Sequence, residues 1–458
     1  MPLRRVVLLF AAANSKIVFP RSAPRGYNTF DTYDSQSLNT SAATALAEAM
    51  AAQLLPSGYE YFALDAGWDR TDDTQHLDAW GRPVAAPRYD LPKLASTVRG
   101  LGLKLGLWTI RGVHVDAVAK KLPVYGMEQY TLDQLVDQGS PGGGPNGSCL
   151  WKDTWLGVNM SHPAAQRYYQ SRVDLLVEAY GVEFIKADCM MCAPCYADEI
   201  YAFSTAVEAR PDENIVLSYS PGGGNTAEDG AWVASERLGS MYRIVTDFHG
   251  GWYGGGSLQQ SLFIQGNFSN AGLAGANGTW PDPDMLPIKS TYWNQSQEQD
   301  DRGATIMTAW TLSGAPLIYG GDLPADARTI AYLTNPTALD IHARAERSNG
   351  VLRYYTGNCT CTGDVTGCTI PKAYFPAEPC VAAWAAPVGE DAALALFNLG
   401  ENATSAELDL ARLGAFSSNI TLAEVWTGAT VGTFASDAVL EVPLRPHASA
   451  YYLATAAR

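Results

Sequence analysis

Basic residues and histidines are scarce in this sequence. Lys and Arg number 31 against 47 Asp and Glu, and there are 6 His. The formal charge of −16 argues against nucleic acid as a partner, because phosphates need a basic protein face, and against docking to anionic lipid. No apolar run is long enough to span a bilayer. The composition therefore predicts a compact protein that binds neither nucleic acid nor membrane.

Several catalytic motifs are also missing. The few histidines form no His-Glu-X-X-His pair, so a metal hydrolase is not expected. No Gly-X-Ser-X-Gly elbow supports an acyl-transfer triad. No Gly-rich phosphate loop follows the first strand-like run, because the glycine triplets at 142–144 and 222–224 lie in other contexts. We therefore expect no bound metal and no cofactor.

Seven of the eight cysteines fall in two crowded segments, 189–195 and 359–380, and their spacing allows two interpretations. Two-residue gaps suit a zinc site, but disulfides are favoured because other signals indicate a secretory compartment. The N-terminus has two arginines and then a short apolar stretch, so residues 1–20 are predicted to be a signal segment. Asn-X-Ser/Thr sequons begin at Asn39, Asn146, Asn159, Asn267, Asn277, Asn294, Asn358, Asn402 and Asn419. We expect a secreted or vacuolar protein.

Residues 21–336 alternate short β-rich apolar runs with longer amphipathic stretches. This alternation over about 300 residues predicts a parallel sheet closed as a (β/α)8 barrel, with a doubly wound open sheet as the competing fold. Strand-like runs lie at 59–65, 104–110, 184–188, 215–220, 241–247 and 316–320. Helix-like stretches lie at 43–55, 92–101, 163–180, 197–209 and 305–312.

Residues 337–458 have a different texture. Short alternating apolar runs, separated by turn residues, occur at 392–399, 406–410, 420–426, 438–444 and 448–454. This pattern predicts a C-terminal antiparallel β-sandwich domain.

Acidic residues recur where the predicted strands end. Asp65, Asp188 and Asp247 each close a strand-like run, and Asp284 lies in the segment 280–286. An Asp after a strand often caps the next helix. Four at corresponding places instead indicate one acidic pocket, because catalytic groups of a barrel gather at the C-terminal strand ends.

Two carboxylates without metal or cofactor can cleave a glycosidic bond. We expect Asp188 to be the nucleophile of a retaining glycoside hydrolase, with a second carboxyl about 5 Å away as the acid/base. Lys186 shares a strand face with Asp188 and is expected to keep it ionised. Arg243 precedes Asp247 by four residues, and it either holds a substrate hydroxyl or an acid or forms an ion pair of the barrel core.

In family order over about 300 residues, several motifs resemble glycoside hydrolase family 27, the melibiase-type α-galactosidases. They are 25–31 (RGYNTFD), 58–68 (GYEYFALDAGW), 102–107 (GLKLGL), 157–163 (GVNMSHP), 184–188 (FIKAD), 242–247 (YRIVTD), 280–286 (WPDPDML) and 315–323 (APLIYGGDL). The resemblance implies a barrel followed by a β-rich domain. It also implies hydrolysis of terminal α-galactosyl residues, with Asp188 and Asp247 as the catalytic pair. By the same resemblance, Cys149 pairs with Cys189 or Cys192.

The sequence departs from the family pattern inside the sugar site. The family's paired acids, which bind the 4- and 6-hydroxyls of galactose, become Asp65-Ala66 here. Trp108 stands in place of a Tyr, and Tyr27 in place of a Trp. The substrate-binding set implied by the resemblance is therefore Asp65, Trp108, Lys186, Arg243, Asp284, Tyr27 and Ser220.

The segment 217–222 and the run 241–244 resemble the plant branch of the family with β-L-arabinopyranosidase activity. That sugar is α-D-galactose without its hydroxymethyl group, which fits the loss of one acid. The expected partner is thus an oligosaccharide, glycan or glycolipid ending in galactose or arabinopyranose. Two alternatives stay open: a non-catalytic carbohydrate-binding protein on a degenerate barrel, and a related specificity such as that of an α-N-acetylgalactosaminidase or an isomaltodextran-degrading enzyme.

Overall fold

The computed structural model describes most of the chain. The described residues are 17–137, 139, 145–191, 196–210, 214–220, 226–252, 256–293, 301–344, 352–357, 380–413 and 419–457. The predicted signal segment up to residue 16 lies outside them, as do Cys192, Cys195, Cys359, Cys361 and Cys368. No helix in these ranges is both long and apolar enough to cross a membrane.

Eight parallel strands form the first sheet, and their spatial order follows their order in the chain. They are β1 (Arg25–Asn28), β2 (Tyr61–Leu64), β3 (Lys104–Ile110), β4 (Phe184–Asp188), β5 (Val216–Tyr219), β6 (Met241–Arg243), β7 (Trp280–Asp282) and β8 (Leu317–Tyr319). Strand β8 pairs with β1, and a parallel bridge between Leu286 and Tyr319 joins the segment after β7 to β8. The sheet therefore closes on itself, and the predicted (β/α)8 barrel is confirmed.

Helices follow the strands and cover the outside of the barrel, and one further short helix, the last in the chain, lies in the C-terminal domain. The helices are α1 (Thr40–Gln53), α2 (Leu91–Gly100), α3 (Val115–Ala119), α4 (Ala165–Asp174), α5 (Ala197–Glu208), α6 (Ala227–Ser235), α7 (Leu258–Asn270), α8 (Arg302–Ser313), α9 (Ala327–Leu333), α10 (Pro336–Arg344) and α11 (Leu410–Leu413). The α-helical part of α4 ends earlier than predicted, and the chain continues as a π-helical turn at Leu175–Ala179. Short antiparallel ribbons between the main elements pair 70–71 with 74–75, 113–114 with 155–156, and 123–124 with 127–131.

Side chains of the barrel strands alternate between the inside and the helix layer. The inner positions of the lower barrel carry apolar side chains that form one cluster: Tyr61, Ala63, Phe184, Val216, Met241, Trp280 and Ile318. The outer positions, such as Phe62, Ile185 and Leu217, pack in the large core beneath the helices. Further along each strand the inner positions become polar, so the polar pocket opens at the C-terminal strand ends.

The C-terminal domain is an antiparallel sandwich, as predicted. Its strands are β9 (Leu352–Gly357), β10 (Cys380–Val388), β11 (Asp391–Asn398), β12 (Thr404–Asp409), β13 (Ile420–Glu424), β14 (Thr430–Phe434), β15 (Val439–Leu444) and β16 (Ser449–Ala456). Six of them form a sheet in the order β9-β10-β11-β16-β13-β14, and β12 pairs with β15. The boundary predicted at residue 336 falls at the start of α10 and stays a prediction.

The central strands of the six-stranded sheet are buried on both faces. One face packs against the β12–β15 pair through residues such as Leu394 and Leu408. The other face, which includes Trp384 and Phe397, joins the barrel core. The strand 380–388 is apolar at nearly every position for this reason, since a strand covered on two sides shows no polar alternation.

Strand β1 approaches β2 so closely that only glycine fits at position 26. A Cβ on Gly26 would lie 2.6 Å from the carbonyl oxygen of Tyr61. Gly26→Ala should therefore lower the free energy of unfolding by about 1–3 kcal/mol, because the clash is with backbone and cannot be relieved by a side-chain rotation. Urea unfolding measures the change. Gly100→Ala, in α2 with nothing within 4 Å of its Cβ position, is the matched control and should not destabilise; equal losses would contradict the packing argument.

Candidate active site

The floor of the pocket is an ion pair between strands β2 and β4. Lys186 Nζ donates to Asp65 Oδ2 at 2.8 Å, and the Asp65 side chain is only 2% exposed. Asn28 Nδ2 donates to the same oxygen at 2.8 Å, and the Ala66 backbone N–H donates to Asp65 Oδ1 at 2.8 Å. Burial lowers the pKa of Lys186, but the charges of Asp65 and Asp188 outweigh this effect and raise it overall. Lys186 is therefore held in its charged form, in hydrogen-bond contact with Asp65.

Asp188 lies at the end of β4 and receives neutral N–H donors. The indole of Trp108 donates to Asp188 Oδ2 at 2.9 Å, and the backbone N–H of Cys189 donates to Oδ1 at 2.9 Å. Burial raises the pKa of Asp188, while the Lys186 charge and both hydrogen bonds oppose that rise. Lys186 thus acts on Asp188 through its field, and its direct partner is Asp65.

A disulfide joins Cys149 to Cys189, the residue after Asp188. The bridge selects one of the two pairings that the family resemblance implied. It belongs to an apolar cluster with Trp108 and Trp155 at the pocket edge, against which Ala66 packs. Cys189 has a φ of 61°, a conformation that a non-glycine residue adopts only when its surroundings impose it.

Arg243 at the end of β6 joins two acids on the opposite side of the pocket. Its Nη2 lies 2.9 Å from Asp247 Oδ1, and its Nη1 lies 2.9 Å from Asp284 Oδ1. Asp284, with a φ of 81°, is held further by the Phe248 N–H on Oδ2 at 2.7 Å and by the Trp310 indole on its carbonyl. Arg243 is thus an ion-pair residue of the pocket rim and inner barrel.

The strand β6 is shorter than the sequence pattern indicates. It ends at Arg243, so Asp247 lies in the following loop and not on a strand face. The loop turns back so that Asp247 meets Arg243. The Asp247 side chain is 49% exposed, whereas that of Arg243 is 2% exposed.

The ionisation of these acids differs from one to the next. Burial raises the pKa of Asp247, but Arg243 and Lys186 outweigh burial and hold it below its ordinary value. Burial raises the pKa of Asp284 despite the opposing Arg243 charge. Burial also raises the pKa of Asp282, which precedes it on β7, to about 6. Asp247 is therefore the ionised, solvent-accessible acid of this group.

Ser220 lies beside Arg243 in the pocket, whereas Tyr27 lies elsewhere. Ser220 is buried, and its hydroxyl accepts from Arg243 Nη1 at 3.3 Å, so it supports the arginine. Tyr27 is fully buried and stacks on Phe62 with ring centroids 5.8 Å apart. Its side chain points into the helix layer, so the structure places it outside the pocket. Asn28, the next residue, points inward and contacts Asp65.

The sequence patterns missed a second acidic contact at the pocket mouth. Asp31, after β1, is fully buried, and its Oδ1 lies 3.2 Å from His249 Nδ1. His249 follows Asp247 by two residues and lies near Phe30, with ring centroids 6.2 Å apart. No periodicity or motif links residue 31 to residue 249, because both lie on loops.

These features define a class of protein by its fold: a closed (β/α)8 barrel with an acidic pocket at its C-terminal strand ends, followed by an antiparallel sandwich. No protein-family model and no curated protein matches the sequence.

Solved structures do match the chain. It is similar to a family 27 β-L-arabinopyranosidase from Geobacillus stearothermophilus, solved as the wild type and as an Asp-to-Ala variant with arabinose. In the arabinose complex the identity is 24%, the TM-score is 0.79, and the match covers 96% of this chain and 98% of that one. A Bacillus halodurans protein assigned provisionally as an α-N-acetylgalactosaminidase matches at 24% identity and a TM-score of 0.73, over 95% of this chain and 97% of that one.

The α-galactosidase of Saccharomyces cerevisiae is a more distant match, with 14% identity, a TM-score of 0.65, and coverage of 95% of this chain and 98% of that one. At these identities the likeness establishes the shared fold. The resemblance to family 27 found in the sequence motifs is confirmed at that level.

The Lys186–Asp65 pair provides a test of the pocket electrostatics. Lys186→Met leaves the buried Asp65 carboxylate without its cation and should cost about 3–5 kcal/mol of unfolding free energy. The double variant Lys186→Met with Asp65→Asn removes both charges and should recover a large part of that loss. Urea unfolding of the parent, both single variants and the double variant measures the coupling. Additive losses would show that the pair is not the interaction that holds the pocket floor.

Proposed function

We propose that this protein is a retaining exo-glycosidase that removes terminal α-D-galactosyl or β-L-arabinopyranosyl residues, with Asp188 as the nucleophile and Asp247 as the acid/base. The observation that carries the proposal is the presence of two carboxylates in contrasting environments at one end of the barrel. Asp188 is fixed by two N–H donors, and Asp247 is half exposed beside Arg243. The solved structures of the same fold include enzymes named for these two sugars.

The first step needs Asp188 as a carboxylate and Asp247 as an acid. An Asp188 oxygen attacks the anomeric carbon, the bond to the leaving oxygen breaks, and Asp247 transfers its proton to that oxygen. Trp108, Cys189 and Lys186 stabilise the ionised form of Asp188. A sugar bound over the half-exposed Asp247 displaces water from it, and this desolvation raises its pKa toward that of a useful acid.

The second step needs the opposite state of Asp247. Water attacks the anomeric carbon of the glycosyl-enzyme, Asp247 accepts a proton from it, and the ester bond to Asp188 breaks to restore the carboxylate. Once the leaving group has departed, water returns to Asp247 and Arg243 favours its ionised form. The same arginine contact that opposes protonation in the first step therefore supports base catalysis in the second.

Asp188→Asn should lower kcat for a nitrophenyl glycoside by about 10³-fold or more, and Asp247→Ala by about 10²- to 10⁴-fold. Azide should restore turnover of Asp247→Ala, because this anion attacks the glycosyl-enzyme without a base, and should give a glycosyl azide of retained configuration. Asp198→Asn, at an exposed acid in α5, is the control and should match the parent. Full activity of Asp188→Asn would refute the assignment of Asp188 as the nucleophile. Absence of turnover in the parent would instead favour a carbohydrate-binding protein.

Ala66 favours arabinopyranose over galactose as the terminal sugar. Its methyl group packs against the cluster that contains Trp108 and the Cys149–Cys189 bridge, so this part of the pocket edge offers an apolar surface. A sugar without the hydroxymethyl group of galactose needs no hydrogen-bond partner there. The arabinose-bound neighbour of the same fold is named for this sugar.

We expect the parent to hydrolyse nitrophenyl β-L-arabinopyranoside with a higher kcat/KM than nitrophenyl α-D-galactoside. Ala66→Asp should raise the galactoside-to-arabinoside ratio by about 10-fold, because a carboxylate supplies the missing hydroxyl acceptor. Ala66→Asn has the same size without the charge and should shift the ratio less. A large galactoside preference in the parent would refute the arabinopyranosidase proposal while leaving the glycosidase proposal intact.

We further propose that the protein works in a secretory lumen or outside the cell. The sequons, the arginine-flanked apolar N-terminus and the Cys149–Cys189 bridge support this location, because disulfides persist in oxidising compartments.

A further inference from the structure

An aromatic wall, made of Phe30, His249 and Tyr292, runs from the pocket floor to its mouth. Lys186 Nζ lies 5.2 Å from the centroid of the Phe30 ring, and the Phe30 and His249 rings lie within 24° of parallel. His249 also contacts Tyr292, with ring centroids 4.2 Å apart, and Tyr292 is 53% exposed. Since His249 follows Asp247 by two residues, the wall lies on the side where the leaving group departs.

Asp31 fixes the imidazole of this wall. Its side chain is fully buried, and one oxygen contacts His249 Nδ1, while Oδ2 has no hydrogen-bond partner among the described residues. A buried carboxylate that is half satisfied costs stability, and the two-step reaction described above does not use it. The segment that carries Tyr292 is tied to the same loop, because the Thr291 N–H donates to the Asp31 carbonyl at 3.2 Å.

We propose that His249 and Tyr292 form the leaving-group subsite of the pocket and that this subsite takes a sugar ring rather than an alkyl or lipid chain. The inference rests on the proposed glycosidase function and narrows its substrate class to oligosaccharides and glycans. Asp31 is a positioning residue that acts through His249.

The chemistry of the imidazole selects a hydroxyl-bearing ligand. Its Nδ1 faces the buried Asp31, so Nε2 lies on the opposite edge of a ring whose side chain is 38% exposed. A neutral Nε2 accepts a hydrogen bond and a protonated one donates, and a sugar hydroxyl can do either. An alkyl chain would cover Nε2 without a partner. The exposed Tyr292 ring supplies a flat surface for the C–H face of a pyranose.

The charges around His249 favour its protonated form. The hydrogen bond that His249 donates to Asp31 raises the pKa of His249 against the opposing effect of burial, and the carboxylates of Asp31, Asp284 and Asp247 act in the same direction. Burial raises the pKa of Asp31 to about 6. Above about pH 6 Asp31 is ionised, and below its own raised pKa His249 is protonated, so in that window Nε2 donates to the ligand.

The test compares two substrates that carry the same terminal sugar, one linked to glucose and one linked to an octyl chain. His249→Phe keeps the ring surface between Phe30 and Tyr292 but removes both nitrogens. It should lower the ratio of kcat/KM for the glucose-linked substrate to kcat/KM for the octyl-linked substrate by about 10-fold, as expected for one lost hydrogen bond. An unchanged ratio would overturn the subsite, whether kcat/KM stays the same for both substrates or falls equally for both. Equal losses would assign His249 to the reaction itself.

Asp31→Asn separates positioning from contact. The amide keeps the volume and an acceptor oxygen but removes the charge, so the pKa of His249, followed by NMR of ¹³C-labelled imidazole, should fall. The preference for the glucose-linked over the octyl-linked substrate should then decline at a lower pH than in the parent, because His249 loses its proton at a lower pH. An unshifted imidazole titration would contradict the role of Asp31. Hydrolysis of a nitrophenyl glycoside by the parent tests the glycosidase function separately: its absence would overturn both proposals, and its presence with an unchanged ratio only the subsite.

Discussion

Two buried cations allow four carboxylates to share one end of the barrel. Lys186 pairs with Asp65 and acts on Asp188, while Arg243 bridges Asp247 and Asp284. Acids at such depth would otherwise protonate or repel one another, because desolvation and like charge both oppose ionisation. The pocket therefore depends on having one of the two cations, Lys186 or Arg243, close to each of the four acids.

The two cations are not equivalent. Arginine presents a planar fork of donors, so Arg243 can bind two acids at once and hold them in a fixed relation. Lysine is a compact point charge. Lys186 donates a hydrogen bond to Asp65, and it acts on Asp188 only through its electrostatic field. This division leaves Asp188 held by neutral N–H donors. Its lone pairs are less fully neutralised than those of Asp65, which suits the role of attacking group proposed for it.

The sequence predicted the fold and much of the pocket because both follow from periodicity. Strands β3 and β4 lie where the apolar runs placed them, and inner positions of the strands put Asp65, Lys186 and Arg243 inside the barrel. The same periodicity could have excluded Tyr27, whose neighbour Asn28 has the inward position; the family resemblance alone suggested the tyrosine. Strands β10 and β14 of the sandwich were not predicted. Strand β10 lacked a polar alternation because it is apolar on both faces.

Loop contacts could not be predicted in this way. Asp247 reaches Arg243 through a turn that no alternation rule describes, and Asp31 meets His249 across 218 positions of sequence. Contacts of this kind depend on how separate βα loops meet once the barrel has closed. Only the closed structure shows that an acid after β1 and a histidine after β6 meet at the pocket mouth.

The sandwich domain supports the pocket through helix α8 and the loop after β6. Thr305, Thr308 and Thr311 lie on one side of α8, and their hydroxyls contact His447, Ser449 and Tyr451 of the second domain. On the same helix the Trp310 indole binds the backbone carbonyl of Asp284.

His447 also stacks on Trp252 with ring centroids 4.1 Å apart, and Trp252 belongs to the loop that carries Asp247. Asp284 and Asp247 are the two acids joined by Arg243. The second domain therefore braces both partners of that arginine, and loosening its contacts would disturb the Asp247 side of the pocket before the Asp188 side.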